Sequence, residues 1–197
     1  MKQTRSGNRS IFSGFTLVEL MVTVAIVGIL SGISFVAFTR NWRDERVKAA
    51  SRETAAWLDE VRRVAIQKAT PCRIRVDRDQ RQLSLDPNAN NPFEFCGSDL
   101  YAPLNLPAKI QNSSELVICS MDIGESNPAL TPLNCNGSQT GSSTLVVTPR
   151  GTATSGLLIK FHMPQAGTDR CVAVMAPLGQ IRSGKATSTG CDFTTAF

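Results

Sequence analysis

Ser13-Gly14-Phe15-Thr16-Leu17-Val18-Glu19-Leu20 opens an apolar run that continues to Phe38. From Phe15 to Phe38 the only ionisable side chain is Glu19. A run of this length can cross a bilayer, which needs about 20 apolar residues. A charge near the centre of such a helix costs about 2.5–3.5 kcal/mol on insertion scales, so a retained carboxylate implies a partner and a purpose. No basic side chain lies within the run, and the counter-ion must come from outside it.

Residues 1–14 are polar and basic, which favours a cytoplasmic amino end. Arg40, Arg43, Arg46 and Lys48 follow the run, so charge alone does not set the orientation. A secretory signal would have a shorter apolar core ending in small residues. Here the run passes directly into helix-forming sequence.

Gly14-Phe15-Thr16-Leu17-Val18-Glu19 resembles the class III signal of type IV prepilins and type II secretion pseudopilins. The resemblance implies cleavage after Gly14 by a prepilin peptidase and N-methylation of Phe15. Glu19 would become the fifth mature residue, facing the amino terminus of a neighbouring subunit during filament assembly. The chemistry is consistent: a cut before Phe15 creates an ammonium, the charge that Glu19 lacks. The further implied partners are other major and minor pilins or pseudopilins along the N-terminal helix, and the inner-membrane assembly platform. The implied location is the inner membrane, single-pass, with the head on the periplasmic or extracellular side.

No proline occurs between Phe15 and Thr70. Val47, Ala50, Thr54, Trp57, Leu58, Val61, Val64, Ala65 and Lys68 recur at spacings of three and four. Arg46, Lys48, Arg52, Glu53, Asp59, Glu60, Arg62 and Arg63 fill the other positions, so this half reads as an amphipathic helix. Thr70-Pro71 ends it. At about 1.5 Å per residue the rod would measure about 80 Å. Gly28 and Gly32 form a GxxxG pair that would allow close helix approach, although glycine is also simply common in membrane helices. Trp42 reads as an interfacial anchor and Trp57 as core.

Beyond Pro71 the period changes to two. Residues 72–77 and 82–86 alternate around a turn at 78–81, a hairpin pattern. Asp77 and Asp79 read as turn residues rather than calcium ligands, because the remaining loop ligands are missing. Residues 87–92 read as a loop. Further strand candidates are 109–111, 116–119, 145–148, 156–162, 171–176 and a short 180–182. Residues 122–143, dense in Gly, Pro, Asn and Ser, read as a long loop. Strands after one long helix give an α+β fold with a mostly antiparallel sheet, the pilin "lollipop" that the resemblance implies. The expected organisation is a leader at 1–14, a transmembrane or filament-core helix half at 15–41, and a head at 42–197. The head divides into an amphipathic helix at 42–69 and a sheet domain at 71–197.

Two turns extend the likeness. Val146-Val147-Thr148-Pro149-Arg150-Gly151-Thr152-Ala153 and Val172-Ala173-Val174-Met175-Ala176-Pro177-Leu178-Gly179-Gln180-Ile181-Arg182 are similar to the carboxy-terminal half of minor pilins and pseudopilins of the GspH/FimT/FimU type. Physically, Gly151 and Gly179 supply tight turns. DNA-binding members of that type carry a Gly-Arg-x-Arg turn. Here it reads Gly179-Gln180-Ile181-Arg182, so the first arginine is missing. Arg182 and Lys185, with Arg170, are the candidate DNA contacts, for a patch that would be weak and salt-sensitive.

The formal charge is +5, but removing Lys2, Arg5 and Arg9 leaves 18 basic against 16 acidic residues, near +2. Bulk charge therefore gives no argument for a nucleic-acid partner. Cys72, Cys96, Cys119, Cys135, Cys171 and Cys191 all follow the apolar run and form no CxxC pair. They read as disulfides of an oxidising compartment rather than a zinc site. Six cysteines allow 15 connectivities. Sequential pairing, Cys72–Cys96, Cys119–Cys135 and Cys171–Cys191, would staple the loops.

His162 is the only histidine, and no nucleophile elbow or Gly-rich phosphate loop is present. No metal or cofactor is expected and the chain does not read as an enzyme. The expected function is that of a minor pilin or pseudopilin that initiates assembly or sits at the tip of a type IV pilus or secretion pseudopilus. The alternative is a DNA-binding minor pilin acting in DNA uptake.

Overall fold

The computed structural model describes residues 14–86, 96, 101–110, 115–135 and 141–194, without the side chains of 32–40. The chain divides into two compact units, Met1–Thr39 and Arg40–Phe197.

Helix α1 spans Leu17–Lys68. It opens at Thr16, whose Oγ1 accepts the Glu19 N–H at 3.2 Å, the bond an N-cap residue makes. It closes in a Schellman motif. Ala69 is left-handed (φ 50°), its N–H donates to Ile66 C=O, and the Thr70 N–H reaches back to Ala65 C=O. These bonds satisfy carbonyls that a helix end leaves open, and Pro71 then prevents continuation.

In the second unit the α1 stripe is buried from Val47 through Ala50, Leu58 and Val61 to Ala65. Trp57 is core, as its spacing indicates, and Ser51 joins the stripe. Lys68 does not: it lies exposed in the last turn. A lysine there gains more from water and the helix C-terminal dipole than from burial.

Nine strands follow among the described residues. They are β1 (Cys72–Asp77), β2 (Gln82–Leu85), β3 (Leu104–Asn105), β4 (Val117–Gly124), β5 (Ser142–Val147), β6 (Gly156–His162), β7 (Arg170–Met175), β8 (Gln180–Ala186) and β9 (Cys191–Asp192). They form two sheets, ordered β3-β2-β1-β5 and β4-β6-β7-β8-β9, with every pairing antiparallel. The fold is thus the expected α+β class, an N-terminal helix packed on antiparallel strands, with two sheets where one was anticipated.

The β1–β2 hairpin is the one read from alternation, with Asp77 opposite Gln82. Asp77 accepts the Gln80 N–H at 2.9 Å and Asp79 accepts the Gly141 N–H at 3.2 Å, both as turn residues. The expected strand at 109–111 is corrected. Lys109 ends a one-turn helix α2 (Leu106–Lys109), capped by Asn105 with proline in its first turn. The expected loop at 122–143 is shorter, because β4 runs on to Gly124 and β5 begins at Ser142. The expected loop at 87–92 and Gln111, the last residue of the 109–111 candidate, lie outside the described residues.

The main core joins the α1 stripe to both sheets, through Ile74, Leu83, Leu145, Ile159, Phe161 and Val172. A second, smaller cluster covers the opposite face of the five-stranded sheet: Ile123, Leu158, Cys171, Ala173 and Cys191, with Leu133 and Phe193 packed on it. Period-two alternation produces this division: in β7, Val172 and Val174 face the helix while Cys171 and Ala173 face away.

Candidate assembly segment and associated sites

The first unit carries the candidate assembly residues. From Phe15 to Leu30 the apolar side chains point outward all round α1; Phe15 is 78% exposed and Ile29 67%. A helix apolar on every side requires a surrounding apolar phase or other helices. Glu19 is exposed, in the first turn. A carboxylate there is favoured by the helix dipole. Thr16-x-x-Glu19 is also the spacing of a capping box, a local role that the sequence reading passed over. The signal was available in those four letters.

Gly14 and Gly28 each have open space where a Cβ would stand. Gly32 lies among the residues whose surroundings are not described, as do the leader residues 1–13. Among the described residues no helix is long and apolar enough to cross a membrane. The expected span at 15–41 includes the undescribed side chains of 32–40.

The second unit holds the two glycine turns, and they meet. Gly151 (φ 75°) closes the turn after β5, its N–H donating to Thr148 C=O at 2.8 Å. Gly179 (φ 63°) closes the β7–β8 turn, its N–H donating to Met175 C=O at 2.8 Å. A Cβ on Gly179 would sit 2.4 Å from the Gly151 carbonyl oxygen. The Ala153 N–H donates to Pro177 C=O at 3.0 Å. Arg62 ties both turns to the helix: its Nε donates to Gly151 C=O at 2.8 Å and its Nη2 to Leu178 C=O at 3.4 Å. By spacing, Arg62 falls with the charged positions of the helix rather than with the buried stripe. No spacing signal separates it from Arg63, which pairs with Asp59 at 2.7 Å.

The candidate DNA contacts are not gathered into one patch. Arg170 is only 9% exposed and stands opposite Lys185 across β7–β8. Arg182 stands opposite Ala173, three residues from Lys185 and therefore on the other face of the sheet. His162 bonds Asp169 through Nδ1 at 2.8 Å, and Lys160 bonds the other carboxylate oxygen at 3.0 Å.

Each cysteine is joined to the next in sequence: Cys72–Cys96, Cys119–Cys135 and Cys171–Cys191. The first lies in the main core. Cys171 and Cys191 lie in the outer cluster, and Cys119 stands opposite Lys160, on that same side of the sheet.

Trp42 is exposed, with the Arg46 guanidinium carbon 6.0 Å from its ring centre. Arg43 bonds Gln165 and lies 3.4 Å from Glu115. Asp44 accepts the Gly167 and Thr168 N–H groups. Together Arg43 and Asp44 fasten the β6–β7 loop to α1 near the start of the second unit.

Against known proteins, residues 9–35 match the prokaryotic N-terminal methylation motif. The chain therefore carries a prokaryotic N-terminal methylation motif ahead of an α+β domain. That supports its likeness to pilin and pseudopilin subunits. No curated protein matches. A solved structure that is similar is that of EpsH, a minor pseudopilin from the Type 2 Secretion System of Vibrio cholerae. It shares 15% identity, covers 71% of this chain and 97% of its own, and has a TM-score of 0.47. At that level the likeness carries no argument of its own.

Proposed function

We propose that this chain is a minor pilin or pseudopilin, a structural subunit that helps start a type IV pilus or type II secretion pseudopilus or sits near its tip. One observation carries the reading. The methylation motif at 9–35 runs into a helix whose apolar side chains are exposed on every side from Phe15 to Leu30. In this reading the peptidase cuts between Gly14 and Phe15, and Phe15 is methylated. Residues 15–41 lie first in the inner membrane and then in the filament core, while the disulfide-bonded head stands on the far side.

Physically, the subunit leaves lipid for a bundle of similar helices at little apolar cost, because helices and lipid tails are comparably apolar. Glu19 supplies the polar term. Its charge is costly in hydrocarbon and is relieved by an ammonium on a neighbour. Glu19→Val should therefore leave membrane insertion intact and reduce incorporation into filaments at least about tenfold, the equivalent of 1.4 kcal/mol. Immunoblotting of sheared filaments against the membrane fraction measures this, and wild-type incorporation by the variant would end the proposal. Mass spectrometry of the extracted protein should find Phe15 at the amino terminus with one added methyl group.

The DNA-uptake reading has no observation in its favour, since Arg170, Arg182 and Lys185 are divided between two faces.

A further inference from the structure

Trp57 faces a groove beside α1 that the filament reading does not use. It encloses about 390 Å³ between the helix residues Glu53, Trp57 and Glu60 and the segment from Tyr101 to Leu104, with Lys109 at its edge. The Trp57 Nε1–H donates to Ala102 C=O at 2.9 Å, which fixes the ring against the opposite wall. The Tyr101 ring lies 5.9 Å from the Trp57 ring, inclined by 48°. The groove therefore presents two neighbouring aromatic rings, of which Trp57 is fixed by its hydrogen bond.

Its charge is acidic. Glu53 and Glu60 are seven residues apart on α1, hence on one face and about 10.5 Å apart along the axis. Among the described residues Glu53 makes no hydrogen bond or ion pair. Glu60 has a 3.7 Å contact with Arg63, whose other nitrogen is held by Asp59 at 2.7 Å. Among the described residues of the lining Lys109 is the single cation, against the two carboxylates of Glu53 and Glu60. The Tyr101 phenol is pushed above its ordinary range, first by burial and then by Glu60 and Glu53. Both carboxylates thus act on the same point in the groove.

We propose that this groove is a docking site for a cationic side chain, an arginine or lysine, carried by a loop of a partner protein. Arginine suits it best: a guanidinium stacks on aromatic rings and bonds carboxylates with its planar fork. A polypeptide is the source because the space continues. A second hollow of about 350 Å³ adjoins at Lys109 and runs along α1 past Ile110 to Trp42. The two together extend far beyond one side chain and accommodate its flanking residues. This goes beyond the filament reading and does not depend on cleavage at Gly14.

The test uses the full chain in detergent micelles, with Trp42→Phe so that Trp57 is the sole tryptophan. The probe is the peptide acetyl-Gly-Arg-Gly-amide, and the control carries citrulline in place of arginine. Arginine peptide should saturate a Trp57 fluorescence change, with citrulline peptide at least about tenfold weaker. Glu53→Gln with Glu60→Gln should weaken the arginine peptide by about tenfold or more at an unchanged melting temperature. Salt raised from about 50 to about 500 mM should weaken it several-fold. Equal binding of the two peptides, no saturation by either, or indifference to the double substitution would overturn the proposal. In cells, a photo-crosslinking residue at Ala56 should capture another protein at a peptide bearing arginine or lysine. Capture of lipid or of a second copy of this chain would equally overturn it.

Discussion

Ala69 shows at one residue how local geometry sets stability. It holds the left-handed position that ends α1, with φ at 50°. A Cβ there costs about 1 kcal/mol relative to glycine. Ala69→Gly should raise unfolding stability by about 0.5–1 kcal/mol, measured by urea denaturation, since the same two backbone bonds remain available. Gly179 is the opposite case. Its φ of 63° and the 2.4 Å approach to the Gly151 oxygen leave no room for a side chain. Gly179→Ala should cost about 2–4 kcal/mol, combining backbone strain with a forced shift of the neighbouring turn. An unchanged urea midpoint would mean that the two turns do not depend on each other. The close packing of Gly151 and Gly179 was not visible in the sequence, although each turn was. Residues 28 apart carry no pattern that brings them together, and only the bonds from Arg62 and Ala153 do so.

Among the elements, legibility followed length and periodicity. Helix α1 could be bounded because a proline-free run with a three-and-four stripe ends at Thr70-Pro71, and the structure ends it at Lys68. The β1–β2 hairpin could be read because residues 72–77 alternate without interruption. The two-residue strands β3 and β9 could not, since two residues contain no period. Helix α2 was missed despite a usable sign, an Asn105 cap followed by Pro107. The split into two sheets depends on which edges meet, which no single strand encodes. The disulfides act at this scale. The outer cluster is small and includes Cys171 and Cys191 themselves, so their bond both packs and cross-links that layer. Replacing both with serine should lower stability by about 2–5 kcal/mol in thermal or urea unfolding and increase binding of a hydrophobic dye. The helix-side core should keep its far-ultraviolet circular dichroism.

For the whole molecule, the two units meet different physical demands. The second, from Arg40 onward, holds both sheets and the whole described core. A fragment starting at Arg40 should therefore remain soluble and melt in one cooperative step within a few degrees of the full chain, as followed by circular dichroism. Loss of cooperativity in the fragment would show that the head needs its N-terminal helix half to fold. The first unit, in contrast, buries none of its described apolar side chains within the chain. Its exposed apolar surface was legible from composition alone, because a helix with one carboxylate among aliphatic residues has no polar side to turn outward.

The Thr16 hydroxyl at the head of α1 bears on how a subunit would change hands. While a chain stands alone, Glu19 stands exposed in the first turn of its own helix, where a carboxylate is favoured by the partial positive charge of the unpaired amides. A neighbour's ammonium would draw that same group away, leaving Thr16 as the remaining lid on the helix. Joining a filament would then exchange the field of the chain's own helix end for a neighbour's charge, and the strength of binding would be the difference between them.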